Sequence, residues 1–374
     1  MTTTDAPVAH QSGLIGAHKR TLDTPALIVD LDVLDRNIAR IAAACREAGV
    51  GWRPHTKGQK VPAIAHRLLA AGAIGITCAK LGEAEVMAAA GIRDILIANQ
   101  IAGPRKIARL MELRRRADVM VAVDDPGNVA ALDAAARESG VRLRVLIEVN
   151  IGLNRAGVEP GAPCVALAQT IARHAGLSFG GVMSWEGHAA PIRDPVEKAE
   201  AVRAAVAKLT GSVELCRKAG LPAAIVSCGG TGTYALSVIQ PGVTEIQAGG
   251  GIFCDVHYRT HFGIEHPYAM TLMTTVTSRP NPLRIVCDAG KKAMSGDAAL
   301  PQPLGLDGVQ SVRLSAEHAT IDLAVPNDAL RVGDPLEFVV GYTDTTVHLH
   351  EAMYGIRDGR VETVWPVAAR GRLQ

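Results

Sequence analysis

The chain has 374 residues, of which 48% are hydrophobic and 20% charged. This balance excludes a disordered chain and fits one large barrel plus a second module, or two ordinary domains. Lysine and arginine exceed aspartate and glutamate by only two, 39 against 37, so no strong positive field indicates a nucleic-acid or membrane partner. No apolar run reaches the roughly 18 residues of a membrane-spanning helix, and the N-terminus lacks the order of a secretory signal.

The cysteines favour a reducing environment. Their number is odd and no C-x-x-C pair occurs, which argues against a disulfide framework and against a thiolate zinc site. We therefore predict a cytoplasmic protein. The seven positions are Cys45, Cys78, Cys164, Cys216, Cys228, Cys254 and Cys287.

Strand-like and helix-like segments alternate from about residue 25 to 250. For example, Leu34, Ile38, Ile41 and Cys45 recur at helical spacing, and Gly49 follows where a helix would end. Repeated βα units predict a parallel sheet with covering helices, here a (β/α)8 barrel. Nine strand candidates compete for eight places, so one is misassigned or belongs elsewhere; we expect that the first pairs with the second domain. The candidates are 25–30, 50–53, 74–79, 94–98, 118–123, 143–150, 179–184, 223–228 and 244–248.

After about residue 265 the pattern becomes that of a small antiparallel β domain. Alternating segments occur without long helical stretches, and Asp358-Gly359 between two β-prone runs predicts a hairpin. The predicted organisation is an N-terminal arm (1–24) that packs with the β domain, a barrel (25–262) and the β domain (263–374). The predicted β segments are 270–277, 284–288, 309–314, 336–343 and 353–367.

Lys57 is the first candidate for chemistry, at the end of a short strand in the run Arg53-Pro54-His55-Thr56-Lys57. In a parallel barrel the strand C-termini form the active-site face. A partly desolvated lysine there has a lowered pKa, and its free amine can form a Schiff base with an aldehyde. An ordinary surface lysine that follows a strand is the alternative.

Two glycine-rich loops follow late strands of the predicted barrel. They are 228–233 (CGGTGT) and 247–251 (QAGGG). Glycines allow close backbone approach and offer N–H groups to a phosphate, and loops after the last two barrel strands often bind phosphate together. Plain tight turns are the alternative for each loop.

Further polar candidates follow other strands. Arg155 follows the strand near 143–150 and could meet a cofactor or a carboxylate, or pair with a nearby acid. His188, after the strand at 179–184, is a candidate proton carrier or a structural histidine. If residues 342–350 form a strand, Asp344, His348 and His350 share one face. They could then be metal ligands, or simply polar side chains on a half-exposed strand.

These motifs, in this order, resemble the pyridoxal-phosphate enzymes of the alanine-racemase-like fold, in the D-threonine aldolase / D-serine dehydratase branch. That branch includes D-3-hydroxyaspartate aldolases and dehydratases. The resemblance runs from about Thr24 to Gly371. Its motifs are Thr24 to Leu27, Arg53 to Lys57, Gly152 to Gly157, Ser227 to Thr233, Glu245 to Gly250, Asp288 to Lys292, Glu317-His318 and Val364 to Pro366.

The resemblance implies roles for individual residues. Lys57 would carry pyridoxal 5'-phosphate as a Schiff base, Arg155 would face the pyridine nitrogen, and Trp185 would lie beside the cofactor. His188 would act on the substrate 3-hydroxyl. The cofactor and its phosphate would be held by Ser227, Gly230, Thr231, Gly232, Thr233, Gln247, Gly249 and Gly250.

One departure from the family concerns a metal. A His-x-Asp or His-x-Cys pair in the β domain of this family usually binds a divalent ion, whereas this chain has Tyr342-Thr343-Asp344. Neutral tyrosine is a poor ligand for hard cations, so we predict no metal ligands. A retained ion is the alternative, since His348 stands where the family commonly has Asn. Ala79 also replaces a common Gln.

The resulting hypothesis is a cytoplasmic, homodimeric pyridoxal-phosphate lyase with a small amino-acid substrate. It would cleave D-3-hydroxy amino acids such as D-threonine to glycine and an aldehyde. The alternatives within the family are a D-3-hydroxy amino acid dehydratase (D-serine or 3-hydroxyaspartate), an amino-acid racemase and a non-catalytic cofactor-binding protein. A barrel that binds no pyridoxal phosphate is the wider alternative.

Overall fold

A parallel barrel occupies the first two thirds of the computed structural model, which describes residues 12–374. Its strands follow the order β2-β9-β8-β7-β6-β5-β4-β3, and backbone bonds from Ile74 N to Trp52 O (2.8 Å) and from Thr77 N to Pro54 O (2.9 Å) join the two ends. Eight of the nine strand candidates therefore form the predicted barrel. The strands are β2 (Gly51–Trp52), β3 (Ile76–Cys78), β4 (Asp94–Gln100), β5 (Asp118–Val123), β6 (Leu143–Glu148), β7 (Leu177–Met183), β8 (Ile225–Cys228) and β9 (Glu245–Ile246).

Helices cover the outside of the barrel. In the first, the Asp30 side chain accepts a hydrogen bond from Val33 N (2.9 Å) and caps the N-terminus, and the predicted apolar face is buried. The helices are α1 (Leu31–Glu47), α2 (Pro62–Ala70), α3 (Leu81–Ala89), α4 (Pro104–Arg114), α5 (Pro126–Glu138), α6 (Ala162–Ala172), α7 (Pro195–Lys218), α8 (Tyr234–Ser237), α9 (Val256–Phe262) and α10 (Thr343–Thr346).

Strand residues alternate between two apolar layers, as barrel geometry requires. Ile95, Ile97 and Val119 belong to the large core between strands and helices. A small separate cluster is formed by the alternate positions of β4 to β7: Leu96, Met120, Ala122, Leu146 and Met183. None of the helices between residues 12 and 374 is long and apolar enough to cross a bilayer.

The second sheet contains the ninth strand candidate. Strand β1 (Ala26–Asp30) lies between β10, with which it is antiparallel, and β16, with which it is parallel. This confirms that segment 25–30 pairs with the second domain. The remaining strands are β10 (Met270–Asn281), β11 (Arg284–Cys287), β12 (Gln302–Pro303), β13 (Val309–Leu314), β14 (Ala319–Leu323), β15 (Pro335–Val339), β16 (Ala352–Arg357) and β17 (Arg360–Pro366).

The predicted hairpin forms between β16 and β17. Asp358 and Gly359 have φ angles of 49° and 74°, and two consecutive residues with positive φ match the type I′ turns that join twisted strands tightly. In the described part of the N-terminal arm, Gly16 and Ala17 form backbone hydrogen bonds with Val361 beside this hairpin. Residues 1–11 of the arm lie outside the described residues, and the predicted domain boundaries stay predictions.

The predicted strand at 336–343 is present only in its first half, and the strand considered for residues 342–350 does not form. β15 ends at Val339, and α10 and a 3-10 turn (Val347–Leu349) follow. The buried Asp255 carboxylate accepts the backbone N–H of Thr343 (2.8 Å), which fixes the start of this helix. Asp344, His348 and His350 therefore do not share the face of a strand, and His350 Nε2 lies 2.6 Å from Ala293 O.

Candidate active site

A cavity of about 590 Å³ lies at the C-terminal ends of the barrel strands. Most of its lining comes from the C-terminal ends of β2, β3, β4, β6, β7, β8 and β9 and the segments that follow them, and the rest from α9 and the start of α10. The structure thus brings Lys57, Arg155, Trp185 and both glycine loops to one place. The lining polar and aromatic side chains are His55, Lys57, Asn99, Gln100, Glu148, Arg155, Ser184, Trp185, Thr231, Gln247, His257, Tyr258, Phe262, Tyr342 and Asp344.

Lys57 projects into this cavity from the segment after β2. Its side chain is 40% exposed, and it lines the cavity, where its ammonium group pairs with the Asp344 carboxylate. Removal from bulk water lowers the pKa of Lys57 to about 8, with the charges of Arg155 and Lys60 acting in the same direction and that of Glu83 opposing them. A substantial fraction of the amine is therefore neutral and nucleophilic near neutral pH.

A buried carboxylate fixes the backbone next to Lys57. Glu83, on α3, is completely buried, and it accepts hydrogen bonds from Thr56 Oγ1 (2.6 Å) and from Ala79 N (3.0 Å). Lys60 Nζ lies 3.6 Å from it and compensates its charge. Sequence reasoning missed Glu83, because a single acid inside an Ala-rich helix gives no signal of its burial.

The two glycine loops form a cradle that side chains would fill. A Cβ at Gly249 would lie 2.7 Å from His55 N, and one at Gly250 would lie 2.8 Å from Tyr258 Cε2. Within residues 12–374, the backbone N–H groups of Gly230, Thr231 and Gly232 donate to no protein acceptor. Trp185 Nε1 is a further buried donor without a partner in this part of the chain. Donors held in this way suit an anion such as a phosphate.

Two of the residues that were predicted to bind the phosphate lie behind the glycine loops. Ser227 is buried, with its Oγ 2.9 Å from Gln247 Nε2, and Thr233 Oγ1 donates to Glu186 Oε1 (2.6 Å). Neither Ser227 nor Thr233 lines the cavity. Their contacts hold the loops in place from the rear.

Glu186 anchors the first glycine loop. Its carboxylate is fully buried, and it accepts hydrogen bonds from the Thr233 and Ser237 hydroxyls and from Gly229 N. These three hydrogen bonds offset the cost of burying the charged carboxylate. The residue was not predicted, although it follows Trp185 directly.

Arg155 lies over the Trp185 ring, with its guanidinium carbon 5.7 Å from the ring centroid. Its side chain is 59% exposed, and Nη2 is 3.7 Å from Glu148 Oε1. Glu148, at the end of β6, is buried and also accepts from Gln100 Nε2 (2.7 Å). Burial raises the pKa of Glu148, against the opposing effects of Gln100 and Arg155. Neither Glu148 nor Gln100 was predicted.

His188 lies outside the cavity lining. Its side chain is exposed, and a Cβ at position 152 would lie 2.7 Å from His188 Nε2, so the imidazole packs on Gly152 in the loop that carries Arg155. The proposed action of His188 on the substrate therefore stays a prediction.

Tyr342 and Asp344 form the wall opposite the barrel. The Tyr342 hydroxyl donates to Asp344 Oδ2 (3.0 Å), and burial raises the pKa of Tyr342 to about 12, with the charge of Asp255 adding to the effect. The phenol is therefore neutral. His348 is exposed. Within residues 12–374, no group of three or more His, Cys, Asp and Glu side chains is arranged to hold a metal ion.

Comparisons with known proteins identify the family of this fold. Residues 29–256 match the family model described as alanine racemase, N-terminal domain, and residues 269–356 match the putative serine dehydratase domain. The chain therefore belongs to the alanine-racemase-like family, in the group that carries this second domain.

Individual relatives cover nearly the whole chain. It is 34% identical to a D-threonine aldolase of Arthrobacter sp over 94% of this chain and 93% of the relative. It is 35% identical to a 3-hydroxy-D-aspartate aldolase of Paracoccus denitrificans over 96% and 95%. The crystal structure of D-threonine aldolase from Filomicrobium marinum superposes with a TM-score of 0.93, at 36% identity and 96% and 99% coverage. D-threo-3-hydroxyaspartate dehydratase from Delftia sp. HT23 superposes with a TM-score of 0.83, at 30% identity and 93% and 98% coverage.

Proposed function

We propose that this chain is a pyridoxal-phosphate-dependent aldolase that cleaves D-3-hydroxy amino acids of the D-threonine type to glycine and an aldehyde. The observation that carries the proposal is Lys57, a lysine of lowered pKa that lines the same cavity as the two glycine loops at the mouth of the barrel. Similarity to a D-threonine aldolase over nearly the full length of both chains supports the same reaction.

The residues of the cavity fit pyridoxal phosphate, the cofactor that the family implies. The cradle at Gly249 and Gly250 has no room for side chains, and the donors of residues 230–232 and the unpartnered Trp185 Nε1 suit the phosphate. When bound, the cofactor supplies an electron-withdrawing ring that stabilises negative charge at the substrate Cα.

The chain's own groups then determine attachment and orientation. Lys57 provides the amine for covalent attachment, and its lowered pKa keeps part of that amine neutral. Arg155, held by Glu148 and by the Trp185 ring, would donate to the pyridine nitrogen and keep it unprotonated. The cavity walls would orient the Cα–Cβ bond for cleavage, since the bond aligned with the cofactor π system is the one that breaks.

We also propose a homodimer in the cytoplasm. The seven cysteines are all free and buried, which is typical of proteins from reducing compartments. The dimer rests on the family resemblance. Light scattering on the purified protein would measure the mass directly, and a monomer at working concentration would contradict this part of the proposal.

The decisive experiment is a product assay with D-threonine, D-serine and D-3-hydroxyaspartate. Glycine with an aldehyde supports the aldolase, ammonia with a 2-oxo acid supports the dehydratase, and loss of optical activity without cleavage indicates a racemase. Lys57→Ala should abolish both turnover and borohydride-trapped cofactor, whereas Lys106→Ala, on exposed α4, should change neither. Full activity of Lys57→Ala would exclude the proposed chemistry.

A further inference from the structure

The pair Tyr342 and Asp344 faces Lys57 across the cavity, at the place where the family resemblance implies a divalent metal. The donor set does not fit such an ion. The Tyr342 hydroxyl gives its hydrogen to Asp344 Oδ2, so the phenol and this carboxylate oxygen are already paired with each other. A neutral phenol and one already paired carboxylate oxygen are poor ligands for a hard cation.

The other oxygen of Asp344 has no partner. Oδ1 is buried and accepts no hydrogen bond from residues 12–374, although the Asp344 side chain, which is 11% exposed, lines the cavity. A buried acceptor without a donor is costly. A ligand that brings a donor to this oxygen removes that cost.

Close packing fixes this oxygen beside Lys57. Position 58 has no room for a Cβ, because Asp344 Oδ1 lies against the Gly58 backbone. On the other side, the Tyr342 ring packs edge-on against His257 and Tyr258, with centroids 5.0 and 6.0 Å away. The unpaired oxygen therefore has a defined position next to the attachment point of the cofactor.

We propose that Asp344 and Tyr342 bind the 3-hydroxyl group of the substrate directly, without a metal ion, with Asp344 Oδ1 accepting the hydroxyl hydrogen. This inference rests on the proposed aldolase function. Among the groups of a D-3-hydroxy amino acid, the amine is directed to the cofactor and the carboxylate is an acceptor. The hydroxyl is thus the donor left for Oδ1.

The same arrangement selects among substrates. In 3-hydroxyaspartate a second carboxylate sits on the carbon that carries the hydroxyl, so it would lie close to the Asp344 carboxylate and be repelled. Lys57 is committed to the cofactor, and the other basic group packed on this wall is His257, whose pKa is lowered by burial. We therefore expect kcat/KM for D-threonine to exceed that for D-3-hydroxyaspartate by about tenfold or more.

The test distinguishes binding of the substrate 3-hydroxyl from the steps that depend only on the cofactor and Lys57. Glycine has no 3-hydroxyl, so exchange of its α-proton in D2O, followed by NMR, reports the cofactor and Lys57 alone. Asp344→Asn should lower kcat/KM for D-threonine cleavage by about 100-fold or more, because the acceptor loses its charge. Exchange on glycine should change less than about threefold. Asp297→Asn, a matched change at an exposed residue beside α10 that does not line the cavity, should leave both rates unchanged.

A second measurement needs no turnover. Mn²⁺ is titrated into the cofactor-loaded protein and followed by electron paramagnetic resonance, and the wild type and Asp344→Asn should give the same free-ion signal. Chelator-treated wild type should cleave D-threonine at its full rate. Binding of Mn²⁺ that Asp344→Asn abolishes, or cleavage that requires added Mn²⁺, would overturn the inference.

The other possible outcomes each reject either the inference or the proposed function. Unchanged cleavage by Asp344→Asn, or equal loss of cleavage and glycine exchange, rejects hydroxyl binding by Asp344 while the aldolase proposal stands. A wild type that shows neither exchange nor cleavage rejects the proposed function itself, and this inference with it. Should Asp344→Asn fail to fold, Tyr342→Phe serves instead, with an expected loss of about tenfold in cleavage and none in exchange.

Discussion

Gly249 is the position where a single methyl group should most directly disturb the cavity. A Cβ there would lie 2.7 Å from His55 N and 2.8 Å from His55 C. Both are backbone atoms, and His55 N is held by a hydrogen bond to Gln247 O (2.9 Å). The His55 carbonyl oxygen lies closer still to that Cβ. Because nonbonded heavy atoms rest about 3.5 Å apart, Gly249→Ala must move this backbone by about 1 Å or more.

The displacement should affect both stability and cofactor binding. Overpacking of this kind costs about 1–3 kcal/mol. Lys57 is only two residues beyond His55, and a shift approaching 1 Å in a reacting group lowers turnover by up to about 100-fold. Gly211→Ala is the matched control. It lies inside α7 with no neighbouring atom within 4 Å, so alanine should stabilise the helix by about 0.5–1 kcal/mol.

Two assays check this prediction on the same samples. Thermal unfolding measures stability, and titration of pyridoxal phosphate followed by absorbance measures cofactor affinity. We expect Gly249→Ala to unfold earlier and bind more weakly, and Gly211→Ala to unfold slightly later with unchanged binding. A Gly249→Ala protein that matches the wild type in both would refute the close contact between the late glycine loop and the segment before Lys57.

Three further predictions concern residues around the cavity. His188→Ala tests the alternative in which this histidine, rather than Asp344, acts on the substrate hydroxyl. That role predicts bound cofactor with most cleavage activity lost, and unchanged cleavage would remove His188 from it. Glu186→Ala leaves the Thr233 hydroxyl and other donors unpaired, at about 1–3 kcal/mol, so affinity for pyridoxal phosphate should fall towards that for pyridoxal, and a preserved preference for the phosphate would contradict the anchoring. Burial raises the pKa of Asp255 to about 6. The folded state thus binds its proton more tightly, and the free energy of unfolding should fall by up to about 3 kcal/mol as pH rises from 4 to 6. Urea unfolding of Asp255→Asn should lack this fall, and an equal fall in both proteins would contradict the assignment.

Periodicity predicted the architecture well because each barrel strand is short, apolar and followed by an amphipathic helix. The count of nine candidates showed that one did not belong to the barrel, although it could not say which, and Asp358-Gly359 indicated the turn of the hairpin. Periodicity failed at Thr343–Thr346, where a long-range bond from Asp255 starts a helix. No local pattern contains that contact, since the two residues are 88 positions apart.

Only part of the candidate site was predicted, because strand order is visible in the sequence and long-range contacts are not. Lys57, Arg155 and the glycine loops follow strands, and the barrel topology alone brings the ends of parallel strands together. Glu83, Glu148 and Glu186 were missed, because what distinguishes each of them is burial against segments distant in sequence. Ser227 ends up in β8 and Thr233 at the end of the first glycine loop, but the sequence could not show that neither side chain lines the cavity.

The position of β1 has a consequence for how the chain is synthesised and folded. This strand is made first, yet its two neighbours, β10 and β16, emerge more than 230 residues later. Until then, both of its edges lack partners, and such edges favour aggregation during translation. A fragment cut after the barrel would leave both edges of β1 permanently unpaired, so the barrel should be difficult to express alone. Folding of the full chain should be slow, as expected for contacts of such high sequence separation.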